Sequence, residues 1–107
     1  MDGFEFVRRD EVRRTDAFSF VIDEYRRPDG AQFLLAHLEF FKFTPSAFKQ
    51  LIREWRLFRE HVKAPLFGCP EVEDERWVKF VTRTGWRYLT RVTCVNGADR
   101  PLYIHTV

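Results

Sequence analysis

Only two cysteines, Cys69 and Cys94, occur in the 107 residues, and no Cys-x-x-Cys spacing exists. This excludes a disulfide scaffold and leaves two free, buried thiols as the default. No apolar run approaches the roughly 20 residues of a membrane-spanning helix. The longest, such as Phe33 to Leu38, are interrupted by histidine or charge. The N-terminus is acidic and charged where a signal peptide would be basic and then apolar, so the sequence reads as cytoplasmic, or as made in a cytoplasm. Charge of one sign is lacking too. Lys plus Arg number 18 against 16 Asp plus Glu, and a net charge of +2 gives little of the long-range field that a dedicated nucleic-acid binder uses. Repeats, low-complexity tracts and linkers are absent, and the length suits one domain spanning 1–107.

Aromatic residues are abundant: 12 Phe, 3 Trp and 3 Tyr within a composition that is 45% hydrophobic and 32% charged, a globular balance. Among the basic residues arginine far outnumbers lysine. Guanidinium groups bind carboxylate and phosphate in a bidentate way, which suits a contact surface. A GC-rich genome is the simpler source of the same bias.

The order of elements reads hairpin, helix, strand, helix, hairpin. Phe4 and Phe6 flank Glu5 in a short possible strand, and Arg8 to Thr15 follows as a charged connection without an apolar period. From Ala17 to Arg27, Phe18, Phe20 and Ile22 alternate with Ser19, Val21 and Asp23, the period of a strand; Pro28-Asp29-Gly30 then predicts a turn. Its antiparallel partner is Gln32 to Phe43. Phe33, Leu35, His37, Glu39, Phe41 and Phe43 share one face of it, and Leu34, Ala36, Leu38 and Phe40 the other. Apolar residues on both faces predict a central strand covered by helices.

Thr44-Pro45 is a helix start, with the hydroxyl as cap and proline at the first helical position. Phe48, Leu51, Ile52, Trp55, Phe58 and Val62 form the apolar stripe of the helix that follows. Lys49, Arg53, Glu54, Arg56 and Glu60 lie opposite, and Pro65 ends it. Leu66 to Cys69 predicts a brief buried strand, joined to the central one by a parallel, right-handed crossover. Glu71, Glu73, Asp74 and Glu75 put negative charge where a second helix begins. Trp77, Val78 and Val81 form its inner stripe with Phe80 beside them, and Gly85 caps it. Trp86 to Cys94, an Asn96-Gly97 turn and a strand from Leu102 close the chain as a hairpin. The expected class is α+β: a mostly antiparallel sheet with two helices and one parallel crossover.

This order, from about Ala17 to Val107, resembles the GNAT acetyltransferase fold after its opening strand and helices. Phe41 to Pro45 is similar to the strand end and proline before that family's cofactor loop, and Arg83-Thr84-Gly85-Trp86 looks like its closing Lys-Leu-Gly-Phe signature. The compact form and charged long helix resemble the short GNAT-like internal virion proteins of podophages. The family's activity would imply acetyl-CoA as cofactor, held at Thr44, Ser46, Ala47 and Phe48.

The departures bear on function more than the likeness does. GNAT enzymes place an Arg/Gln-x-x-Gly-x-Gly/Ala loop before the long helix, where bare N–H groups grip pyrophosphate. Thr44-Pro45-Ser46-Ala47-Phe48 is shorter, has no glycine and loses one donor to proline. Val81 stands where the family commonly has its general-acid tyrosine, four residues before the closing glycine. A substitute such as Tyr88 or Cys69 would be required. The family's opening strand and helix pair, which walls its substrate site, has no counterpart. The expectation is therefore no catalytic residue and no cofactor, and a non-enzymatic structural or interaction protein of phage, virion-associated type on a degenerate GNAT-like scaffold. A small N-acyltransferase binding acetyl-CoA between the strands Leu35 to Phe43 and Leu66 to Cys69 is the alternative.

His37, His61 and His105 lack ligand spacing, so no metal is expected. The acidic run from Glu71 to Glu75 reads as a solvated helix start or as carboxylates for a divalent cation. Arg8, Arg9, Arg13 and Arg14, with Arg26 and Arg27 across a sheet, form a candidate patch for phosphate or an acidic protein surface. A helix face with Arg53, Arg56, Arg59 and Leu57 is a second docking candidate. A protein partner or self-assembly is expected before a nucleic acid, and no membrane span.

Overall fold

The computed structural model describes residues 3–70, 73–94 and 96–107. Its elements are β1 (Glu5–Arg14), β2 (Phe18–Arg26), β3 (Gln32–Phe40), α1 (Pro45–His61), β4 (Leu66–Gly68), α2 (Glu75–Thr84), β5 (Arg87–Thr93) and β6 (Asp99–His105). The strands make one sheet in the order β1-β2-β3-β4-β6-β5, antiparallel throughout except where β3 pairs with β4. The class is α+β, a mostly antiparallel six-stranded sheet with two helices and one parallel pair. No helix among the described residues is long and apolar enough to cross a membrane. Of the acidic run, Glu71 lies outside the described residues.

Alternation on β2 sends Phe18, Phe20 and Ile22 to the helical side, where they meet Leu34 of β3 and Leu66 of β4 in the core. The apolar stripe of α1 closes on them through Leu51, Ile52 and Trp55, and Phe80 brings α2 against Trp55 at 5.5 Å between rings. Both helices thus occupy the same face. The expectation of helices over both faces of β3 is corrected: Phe33 and Leu35 are buried on the other face beneath neighbouring side chains. Phe33 stacks on Phe67 at 4.5 Å and takes the edge of Phe4 at 5.2 Å. A period-two pattern shows that both faces of a strand are apolar but not what covers them.

The caps follow local chemistry. The Thr44 hydroxyl accepts from the Ala47 amide, the Asp74 carboxylate accepts from the Trp77 amide, and Gly85 takes the left-handed conformation that ends α2. In β4, a Cβ on Gly68 would lie 3.1 Å from Trp86 and 3.2 Å from Trp77, so glycine lets the two indoles close over the strand.

Two other expectations are corrected. Arg8 to Thr15 is no connection; most of it is β1, a ten-residue edge strand exposed along nearly its whole length, with irregularities between Phe6 and Arg8 and between Glu11 and Arg13. A strand with one neighbour that sends only Val12 to the core has no apolar period to read, and its charges discourage further strand addition. Val78 points out of α2, 52% exposed, because the helix is anchored by Trp77, Phe80 and Val81 on its other side.

Candidate functional site

An open cavity of about 830 Å³ lies against the sheet face opposite the helical layer and reaches round to the start of α2 at Asp74, Arg76 and Trp77. Part of it comes from a divergence of strands. β3 pairs with β4 only from Leu34 to Ala36, opposite Leu66 to Gly68, and then runs on to Phe40 while β4 stops. His37 to Phe40 line one side of the resulting notch, and Cys69 and Pro70 the other.

Beneath Arg9 and His37, which line the cavity floor, lies Asp23, 1% exposed in the middle of β2. Arg9, from the edge strand, forks onto it, Nε donating to Oδ1 at 2.6 Å and Nη2 to Oδ2 at 2.7 Å. Nε2 of His37 lies 2.9 Å from Oδ2, so the buried carboxylate orients the imidazole of a half-exposed histidine. The Arg9 hydrogen bonds hold the Asp23 carboxyl below the usual carboxylate range, with His37 adding to them and burial opposing. A carboxyl depressed in the folded state contributes stability that is fully present above its unfolded value, about 3.9, and is lost as pH falls through the folded value. Arg9→Ala is therefore expected to lower the urea midpoint at pH 7, with the gap from the native protein closing as pH falls below about 4. A gap of the same size at pH 7 and pH 3 would show that Arg9 does not act through Asp23. The sequence signal for this cluster was an acid in a strand otherwise fit for burial, opposite a histidine-bearing strand.

Other candidate groups do not converge on that floor. Cys69 and Cys94 both line the cavity as free thiols, and burial, with Cys94 beside it, pushes the Cys69 thiol up to about 11. Little thiolate exists at neutral pH at such a value, which opposes a nucleophilic role. Tyr88 is exposed, and its ring meets the edge of Tyr103, which packs on Trp77 of α2. It thus stands on the helical face, opposite Cys69, and the two cannot serve one site. His105 is turned into the helical side against Trp55, and His61 bonds the Leu57 carbonyl, so the three histidines are apart. Glu73 accepts from the Tyr103 hydroxyl and Asp74 is a cap bonded to Arg76. Among the described residues no group of three His, Cys, Asp or Glu side chains could hold a metal ion.

At the start of α1, Pro45 has no N–H, the Ala47 amide donates to the Thr44 hydroxyl at 3.2 Å and the Phe48 amide to the Thr44 carbonyl at 2.9 Å. The amides of Thr44 and Ser46 alone remain at this helix start, with no glycine beside them, too little to cradle a pyrophosphate. The residues present do not fit that group in the manner the GNAT resemblance implies.

The arginines are divided by strand register and helix phase. Arg8 pairs with Glu24, Arg9 with Asp23, Arg13 with Glu54, Arg14 with Glu11 and Arg27 with Asp29. Arg26 stands opposite Glu5, at the far end of β2 from Arg13 and Arg14, so the expected patch is spread along an edge and neutralised over most of its length. Arg59 leaves the predicted docking face altogether: it is 6% exposed, with Nη1 donating to the Val62 and Ala64 carbonyls. On the exposed side of the helical layer, Lys49, Arg53, Arg56, Lys79 and Arg83 have no acid within ion-pair distance among the described residues. No protein-family model matches the chain, and no match is found among curated proteins or solved structures.

Proposed function

We propose that the chain is a non-enzymatic structural or interaction protein, a degenerate GNAT-like scaffold of virion-associated type, whose protein partner or second copy seats on the helix-free face of the sheet. The observation that carries this reading is the start of α1, where proline and the Thr44 hydroxyl remove two of the four donors that a pyrophosphate would use and no glycine opens the backbone. The element order from β2 to β6, with one parallel pair joined through α1, supports the scaffold. Support for a partner is the broad open cavity, lined by buried Leu35 and bounded at one end by the start of α2 through Asp74, Arg76 and Trp77.

One observation favours a second reading, a small acyltransferase that takes acetyl-CoA in a non-standard way. It is the notch where β3 and β4 part, with the Asp23-oriented ring of His37 beside it. Thermal unfolding with and without millimolar acetyl-CoA separates the two, because a ligand at a hundred times its Kd stabilises the folded state by about 2.7 kcal/mol. The expected result is an unchanged midpoint, with light scattering giving a mass above the 12.9 kDa of one chain that Val21→Glu, on the cavity wall, returns to the monomer. A midpoint raised by several degrees would move the function to the acyltransferase. A clean monomer with an unchanged midpoint would remove self-assembly and leave a different protein as the partner.

A further inference from the structure

Basic charge without acidic partners is concentrated on the helical layer, away from the open sheet face. On α1, Lys49 and Arg53 are one turn apart and exposed. On α2, Lys79 and Arg83 repeat that spacing, and between the helices they line an open groove of about 420 Å³ with Phe48 and Thr82. The β1 arginines each meet a carboxylate, whereas these four cations meet none among the described residues.

Aromatic rings accompany the charge. Phe43, 36% exposed, adjoins the groove's Phe48, its ring 5.7 Å away in an edge arrangement. Lys79 Nζ stands 5.1 Å from the centre of Phe48 and 5.7 Å from that of Phe43. A large apolar ring left in solvent under a cation suits a ligand that is flat and anionic. An acidic protein surface would satisfy the cations and leave the rings without a role.

We infer that this groove binds single-stranded nucleic acid, phosphates meeting Lys79 and Arg83 of its wall and a base stacking on Phe43. Such sites combine a basic track with aromatic platforms and tolerate any base, since every base has a flat face. The net charge of +2 does not oppose this, because carboxylates elsewhere balance the total without lying in the groove. The site is separate from the helix-free face and does not depend on what occupies that face.

The test is fluorescence anisotropy of the full chain with a labelled thymidine oligonucleotide of about 20 nucleotides, titrated from 50 to 200 mM salt. Binding is expected to weaken steeply with salt, the logarithmic slope being about −0.7 per phosphate contacted. The double variant Lys79→Ala/Arg83→Ala should flatten that slope by about 1.4. Phe43→Ala should weaken binding about tenfold with the slope unchanged, the effect of losing one stacked base. Arg8→Ala, on β1, should change neither. All four side chains are exposed or half-exposed, and circular dichroism at the same midpoint confirms each variant folded. No binding at 50 mM salt overturns the inference. Equal binding of polyglutamate, with Phe43→Ala silent, also overturns it and assigns the groove to an acidic protein.

Discussion

Trp55→Ala is expected to destabilise the protein by about 3–5 kcal/mol, the range for truncating a buried tryptophan. Trp55 is 4% exposed, and its ring is where four elements meet. Phe20 of β2 lies 5.9 Å away, Phe80 of α2 5.5 Å, Trp86 at the entry to β5 5.5 Å and His105 of β6 4.8 Å. Removing it opens a cavity among rigid rings, which relax poorly around a void. It also takes away the surface that holds α2 to α1. The measurement is a urea titration with the slope left free, paired with a thermal scan in which the midpoint should fall by roughly 12 °C or more. Trp55→Phe, which keeps a ring, should cost clearly less. A loss below about 1 kcal/mol for the alanine variant would mean that this ring is not the joint between the helices and the sheet.

Much of this arrangement could be read from residue order because each signal is local. Thr44-Pro45, Asp74 and Gly85 set the helix ends through bonds to their own neighbours, and Pro28-Asp29-Gly30 and Asn96-Gly97 set the turns. The stripe of α1 showed which side of it is buried. What could not be read depends on partners distant in the chain. β1 is a strand because β2 offers it a backbone ladder, and its own residues carry no period. Asp23 was legible only as an alternating position of a strand; strand pairing is what placed Arg9 and His37 against it. Lys79 and Arg83 of the inter-helix groove have no acid within ion-pair distance among the described residues, and no spacing along one helix reveals that. The α1 junction is the reverse case: its missing glycines were plain in the sequence, and the hydrogen bonds of Thr44 supply the physical reason they matter.

Arg59 was the residue most completely misplaced by periodicity, and its replacement carries the second large effect. Its guanidinium lies 5.7 Å over the Trp55 ring, and Nη1 donates to the Ala64 carbonyl at 2.8 Å and the Val62 carbonyl at 3.1 Å. Those carbonyls follow the last turn of α1, where the chain turns towards β4. The arginine therefore ties off that connection in place of water. Each hydrogen bond to a charged group contributes about 1.5–3 kcal/mol, so Arg59→Ala should cost roughly 3 kcal/mol or more in a urea titration. Arg59→Met refills the space but leaves the carbonyls without donors, and Arg59→Lys supplies a point charge where a flat fork is needed, so neither should restore more than part of the loss. Alanine costing under about 1 kcal/mol would show that water takes the guanidinium's place. A second readout is independent of stability. Burial, followed by the nearby Arg59 charge, holds the His105 imidazole below its ordinary value, against the Thr84 carbonyl that accepts from its Nε2. Stability from a neutral buried histidine is complete above about pH 6.5 and is lost as pH falls through the depressed folded value. In Arg59→Met the charge is gone and the burial stays, so the His105 resonance should titrate at higher pH than in the native protein, and the acid loss of stability that begins near pH 6.5 should shrink. An unchanged His105 titration would mean that burial alone keeps this ring neutral and that Arg59 serves only the backbone carbonyls it bonds, those of Val62, Ala64 and His105.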